Sequence, residues 1–281
     1  MSRTSNIPVD YKPRPKKRLG QHFLIDKAAL GNILDAARLS SEDYVLEIGS
    51  GSGNLSVLLA KQAGRFYALE KDTAFNAVLK SRLKPFPCSK IIFTDILAFD
   101  IKEIFEGRKY KVIGNIPYYI TSPIITRLIE QREYIDTILI TIQKEVAQRI
   151  VACPGTKNYG RLSILAQFYT SPELITIFPK KLFSPAPEVD SALIRLKILS
   201  SPSISVASEK TFFRVVKAIF AQRRKTLLNG LLAAGFAINK ETMLEILKKT
   251  DITPSCRGEQ LKLCEIGRLS DAIEGYSPQK I

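Results

Sequence analysis

Glu47-Ile48-Gly49-Ser50-Gly51-Ser52-Gly53-Asn54 is the stretch whose reading decides the fold. It follows a short apolar run, Tyr44–Ile48, and precedes Leu55, Leu58 and Leu59, which mark a helix. Glycines between a strand and a helix let the backbone turn tightly and approach a ligand closely. A dinucleotide loop, G-x-G-x-x-G, needs glycine where Asn54 stands, so the pattern is E-x-G-x-G-x-G instead. Such a loop, with no phosphate to cradle, suits the amino-acid moiety of S-adenosylmethionine. Taken alone, it is equally a simple tight turn.

Working outward from the loop, strand-like and helix-like runs alternate. Phe66–Leu69, Ile91–Phe93, Val112–Ile113 and Ile138–Ile142 read as the next four strands, with helical runs such as Ala74–Leu83 and Pro123–Glu130 between them. Alternation of this kind predicts a parallel sheet covered by helices on both faces. Leu174–Phe178 and Ala192–Leu199 have no long helix between them and read as an antiparallel pair finishing the sheet. Glu70 closes the second strand, 21 residues after Gly49, where an acidic residue can accept hydrogen bonds from both hydroxyls of a ribose. Asp95 ends the third strand, where a carboxylate would hold an adenine amino group. Three features at the ends of three consecutive strands turn a glycine loop into a cofactor site across the carboxyl edge of the sheet.

Asn115-Ile116-Pro117-Tyr118 follows the fourth strand. The N6 of adenine is a poor nucleophile because its lone pair is delocalised into the ring. Two acceptors facing N6, the Asn115 side-chain oxygen and the Ile116 carbonyl, would localise that lone pair and favour the positive charge that develops on nitrogen. Pro117 presets the turn, and Tyr118 offers a face on which an extruded base can stack. By itself the same tetrapeptide is also a Pro-Tyr turn whose Asn caps the next helix. Phe183, in Phe183-Ser184-Pro185-Ala186-Pro187, is either a core residue or the ring that closes the other face of the base.

The chain divides on composition into three parts. Residues 1–18 carry Arg3, Lys12, Arg14, Lys16, Lys17 and Arg18 among three prolines, and read as a mobile basic arm or an unbound terminus. Residues 19–200 read as the α/β domain, in which Asp26 reads as the N-cap of a first helix whose Leu30, Ile33, Leu34 and Ala37 share one face. Ser200–Ser208 reads as a linker, and residues 201–281 as a small helical domain built from Phe212–Ala221, Lys225–Ala234, Glu241–Lys248 and Gln260–Ile273. There Arg214, Lys217, Arg223, Arg224 and Lys225 read as either an RNA-docking surface or a solvated basic face. With 42 Lys and Arg against 27 Asp and Glu, the formal charge of +15 points to a polyanionic partner. Four scattered cysteines and one histidine argue against a metal site or a disulfide framework. No apolar run reaches the roughly 18 residues of a membrane span, and the N-terminus lacks a signal-peptide core, so the expected location is the cytoplasm.

Seven segments together resemble the bacterial small-subunit (16S) ribosomal RNA adenine dimethyltransferase family. They are Gly20-Gln21-His22-Phe23-Leu24, the glycine loop, Asn115–Tyr118 continuing as Tyr119-Ile120-Thr121-Ser122-Pro123, Gln143–Ala147, Tyr159–Ser163, Phe183–Ser191 and Gln222–Leu227. The resemblance runs from Leu19 to about Leu263. It implies a Rossmann-like S-adenosylmethionine methyltransferase sheet with a small all-α C-terminal domain. It also implies dimethylation of two adjacent adenosines in the hairpin loop near the 3′ end of small-subunit rRNA, within a nearly assembled 30S particle. By position it adds His22 and Leu24 to Gly49, Glu70, Asp95 and Asn115 as cofactor-pocket residues. The expected protein is a monomer with no bound metal and no membrane attachment. Lys71 stands where the family usually has an apolar residue, and Ser56 where Thr is common; beside Glu70, Lys71 is expected to alter cofactor affinity slightly. Two other readings stay open on the residues: a DNA adenine methyltransferase using the same turn, and an assembly factor whose binding outweighs its chemistry.

Overall fold

The computed structural model describes Lys16, residues 20–222 and residues 225–276. These fall into two compact units, one of the residues up to Ala147 with Ser171–Ile198, the other of Gln148–Thr170 with the residues from Leu199 onward. The sequence reading drew one boundary near residue 200, whereas Gln148–Thr170 groups with the helical unit.

In the first unit, β1 (Phe23–Leu24) leads into α1 (Lys27–Ala37). Asp26 caps α1 as expected, accepting from the Ala29 N–H at 2.8 Å. Ala29, Leu30, Ile33 and Ala37 form its buried face, and Arg38, at φ 46°, closes it with a left-handed residue whose N–H returns to the Leu34 carbonyl. Then come β2 (Tyr44–Ile48), α2 (Asn54–Ala60), β3 (Arg65–Glu70), α3 (Asn76–Leu83), β4 (Ser89–Phe93), β5 (Tyr110–Asn115), α4 (Thr121–Glu130) and β6 (Ile135–Gln143), after which α5 (Lys144–Ile150) and α6 (Arg161–Tyr169) intervene. β7 (Thr170–Phe178), β8 (Phe183–Ser184) and β9 (Ser191–Ile198) complete the strands.

The main sheet has the order β4-β3-β2-β5-β6-β9-β7. β4, β3, β2, β5 and β6 run parallel, and β9 joins β6 antiparallel. The apolar runs are explained by burial on both faces: Val45, Leu46, Ile48, Val112, Ile113, Ile138 and Ile140 are all at most 2% exposed. Chain order reverses between β2 and β5, so the loops after these two strands diverge and open a crevice at their carboxyl ends. A separate two-stranded ladder pairs Phe23 with Ser184 and Leu24 with Phe183. It fastens the segment ahead of α1 to the Phe183 loop.

The second unit holds α6, α7 (Glu209–Ala221), α8 (Leu227–Leu232), α9 (Lys240–Lys249) and α10 (Leu263–Tyr276). Aromatic packing explains why residues 148–170 belong to it. Phe168 stacks on Phe212 with centroids 4.7 Å apart, and Tyr159 meets Phe220 edge-on at 5.9 Å. The Tyr169 hydroxyl donates to Glu209, and the Gly155 N–H donates to the Glu259 carbonyl. The Ser-rich stretch is laid down rather than loose, with the Ser203 N–H on the Phe168 carbonyl at 2.8 Å and the Ala207 N–H on Asp271 at 2.8 Å. α8 begins at Leu227, later than the sequence suggested, with Thr226 at its N-cap and Lys225 ahead of it. Arg223 and Arg224 lie outside the described residues. Arg214 is committed internally: it donates to the Gly235 carbonyl at 2.6 Å and lies over the Phe236 ring at 4.3 Å. Lys217 and Lys225 are exposed.

Candidate active site

A cleft lies at the carboxyl ends of β2, β3, β4 and β5. His22, Gly49, Glu70, Asp95, Asn115, Ile116, Pro117 and Tyr118 all line it. Seven of these are expected from the residues themselves and His22 from the family resemblance; they come from segments almost a hundred positions apart, and the parallel sheet brings the strand ends together.

Close approach of backbone to backbone shapes the crevice. Gly49, Gly51 and Gly53 have φ of 74°, 49° and 80°, in the left-handed region that glycine alone adopts freely. A Cβ at Gly51 would fall 2.5 Å from the Phe23 ring. On β5, a Cβ at Gly114 would fall 2.5 Å from the Ile48 carbonyl, so glycine there lets the two diverging strand ends stay in contact.

Glu70 is 5% exposed. The Gly51 N–H donates to its Oε2 at 2.7 Å and the Asp72 N–H to its Oε1 at 2.8 Å. Burial pushes its carboxyl above the usual glutamate range, against the pull of those two N–H groups. Each oxygen keeps a lone pair for a further donor, which is what a pair of vicinal hydroxyls requires. Behind the loop, Glu47 is 2% exposed and takes the Ser56 hydroxyl. Burial pushes the Glu47 carboxyl up to about 7, against that hydrogen bond and with the neighbouring Glu70 adding to the rise. Asp95 accepts from Lys71 Nζ at 2.7 Å and from the Leu97 N–H at 3.0 Å. Burial opposes its ionisation, but these donors outweigh it and hold the carboxyl below the usual aspartate range.

At the end of β5, Asn115 Nδ2 donates to the His22 main-chain carbonyl at 2.6 Å. A carbonyl only accepts, so the contact assigns the amide: Oδ1 is the atom left to accept. The Ile116 N–H is held by the Thr141 carbonyl at 3.0 Å. The Thr121 hydroxyl shares its one proton between the Pro117 and Tyr118 carbonyls, at 3.3 and 3.2 Å. The Tyr118 ring is stacked on His22, centroids 5.5 Å apart and planes at 24°, and its hydroxyl pairs with Ser191. His22 Nδ1 stands 2.8 Å from the Pro185 carbonyl, which makes Nδ1 the protonated nitrogen.

Two expected residues lie elsewhere. Phe183 does not line the cleft: it is 3% exposed and packs in the core with Leu24, Leu30 and Ile33, where its pairing with Leu24 places it. Leu24, 5% exposed, lines a smaller neighbouring pocket with Gly49 and Asn115. Conversely, Phe23, Tyr119 and Lys71 line the main cleft, and Ser191 braces Tyr118. Each lies within or beside a quoted motif, but no periodicity singles it out. Of the basic arm, Lys16 alone is described; its ammonium pairs with Asp72 at 2.7 Å, two residues beyond Glu70.

The donor set suits S-adenosylmethionine: a glycine cradle, a buried carboxylate with two open lone pairs, and a second carboxylate one strand over. The sequence matches the family described as ribosomal RNA adenine dimethylase over residues 13–266. The chain belongs to the ribosomal RNA adenine dimethylase family. Family members are S-adenosylmethionine-dependent methyltransferases, and the sheet described above is their Rossmann-like sheet. The chain is 41% identical over 275 residues to the Ribosomal RNA small subunit methyltransferase A of Alkaliphilus oremlandii, covering 96% of both chains. It is 42% identical over 279 residues to the protein of that name from Bacillus mycoides, covering 97% of this chain and 96% of that one. Among solved structures, a dimethyladenosine transferase from Plasmodium falciparum superposes with a TM-score of 0.77 at 26% identity, covering 88% of this chain and 96% of that one. No helix among the described residues is long and apolar enough to cross a membrane.

Proposed function

We propose that this chain transfers methyl groups to the N6 atoms of two adjacent adenosines in the 3′-terminal hairpin loop of small-subunit rRNA, acting as a monomer on immature 30S particles. S-adenosylmethionine, when bound, supplies the methyl group from its sulfonium. Glu70 accepts hydrogen bonds from the ribose hydroxyls, and Asp95 accepts one from the adenine amino group. Gly49 lets the backbone approach the methionine end, His22 lines the same cleft, and Leu24 lines the adjoining pocket that shares Gly49 and Asn115 with it.

The observation that carries this reading is the Asn115 amide, locked by the His22 carbonyl with Oδ1 free as an acceptor. Oδ1 and the Ile116 carbonyl accept hydrogen bonds from the N6–H groups, two for the first transfer and one for the second, so the nitrogen lone pair is directed out of conjugation and its growing positive charge is met by fixed dipoles until the proton leaves to solvent. His22 covers one face of Tyr118; the base stacks on the other. Phe183, the first residue of β8, is buried in the core and supports this wall from behind. Lys217, Lys225 and the N-terminal basic residues supply phosphate contacts.

Transfer of labelled methyl groups separates the readings. Immature small subunits should accept label, while mature subunits and duplex DNA accept little. Preferential labelling of duplex DNA would replace this proposal with a DNA methyltransferase.

A further inference from the structure

Lys71 follows the ribose-facing Glu70 and lines the same cleft as Asp95. Its Nζ is 2.7 Å from Asp95 Oδ2, while the Leu97 N–H holds Oδ1 at 3.0 Å. The pair is no stability device: the lysine side chain is 54% exposed and the aspartate 28%, and exposed ion pairs contribute little to folding. The strand ends are already joined, by the β3–β4 ladder ending at Glu70 and Phe93 and by the Thr94 N–H on the Glu70 carbonyl at 3.0 Å.

What the pair does accomplish is local. A carboxylate held by one donor on each oxygen has a single orientation, and an ionised carboxylate has about four acceptor positions. Two therefore remain after Lys71 and Leu97 are served. Lysine and an incoming amino group can share Asp95 without competing. We infer that Lys71 is a positioning residue for the cofactor, holding Asp95 ionised and oriented so that the adenine amino group meets a preset acceptor. This rests on the assignment of the cleft to S-adenosylmethionine and of Asp95 to its adenine. The lysine acts through Asp95, so its effect falls on recognition of the amino group rather than on the rest of the ligand.

The test compares S-adenosylhomocysteine with its inosine counterpart, in which a carbonyl replaces the amino group, by calorimetry on the intact protein. The wild type should prefer the adenine compound by about tenfold or more, as one well-placed charge-assisted hydrogen bond implies. Lys71→Met keeps an unbranched stem and removes the ammonium; it should reduce that preference about fivefold, and Lys71→Arg should restore it. Asp95→Ala should abolish it. If Asp95→Ala leaves the preference intact, the adenine assignment fails. If Asp95→Ala abolishes it and Lys71→Met does not change it, Asp95 keeps its role and the inference about Lys71 is overturned. Tighter binding by Lys71→Met would also overturn it, showing that the lysine competes for the carboxylate.

Discussion

Asn115 and His22, 93 positions apart, are joined by a 2.6 Å hydrogen bond from the Asn115 side-chain amide to the His22 carbonyl. The bond ties the segment ahead of α1 to the end of β5 and decides which amide atom can face a substrate. Removing it should act on the reaction more than on binding. Asn115→Ala should lower turnover about 10²–10³-fold, with rRNA affinity nearly unchanged. Single-turnover kinetics on immature small subunits, with RNA binding measured in parallel, would show this. An equal loss in affinity and rate would make Asn115 a binding residue.

Glu70 should control cofactor affinity. Its carboxylate is preset by the Gly51 and Asp72 N–H groups, so Glu70→Ala loses charge-assisted bonds to the ribose worth about 2–3 kcal/mol. Calorimetry with S-adenosylmethionine measures the difference. A folded variant with unchanged affinity would remove Glu70 from the site.

Tyr118 separates ring from hydroxyl. Tyr118→Phe keeps the stacking face and loses the Ser191 contact, a cost of about 1 kcal/mol. Tyr118→Ala loses the face, about 1–3 kcal/mol of stacking. The Phe variant should keep most of its single-turnover rate and the Ala variant little of it. Equal inactivity would make the hydroxyl the working group.

Glu47 should leave a signature in stability against pH. Its carboxyl, pushed up to about 7 by burial, stays protonated in the folded chain where the unfolded chain has already ionised. Between the ordinary glutamate range and about 7 the folded state binds the extra proton, so stability falls as pH rises through that window. Glu47→Gln imitates the protonated form. Its melting temperature should match the wild type at pH 4 and exceed it at pH 8, with a gain of up to about 3 kcal/mol. Parallel melting curves at both pH values would mean that Glu47 is ionised in the fold.

Much of this was legible from local pattern. Doubly buried strands are apolar throughout, so Tyr44–Ile48 was found with its observed limits, and Phe66–Leu69 and Ile138–Ile142 fell inside β3 and β6. The cleft followed because parallel strands place their carboxyl ends at one edge. What escaped depends on partners distant in sequence. Residues 148–170 join the helical unit through Phe168 and Tyr159, whose partners Phe212 and Phe220 lie beyond the Ser-rich stretch. β1 and β8 are two residues each, too short for any periodicity, so nothing local chooses between the core and stacking readings of Phe183. His22 entered only through resemblance; its task is done by a backbone carbonyl and a ring contact, neither of which has a compositional sign.

The most direct measurement is mass spectrometry of small-subunit rRNA from cells lacking the gene, complemented with either the wild type or Asn115→Ala. The wild type should restore two adjacent N6,N6-dimethyladenosines in the 3′-terminal hairpin loop, and the variant should leave both adenosines unmodified or nearly so. Full dimethylation without the gene, or with Asn115→Ala, would contradict the assignment.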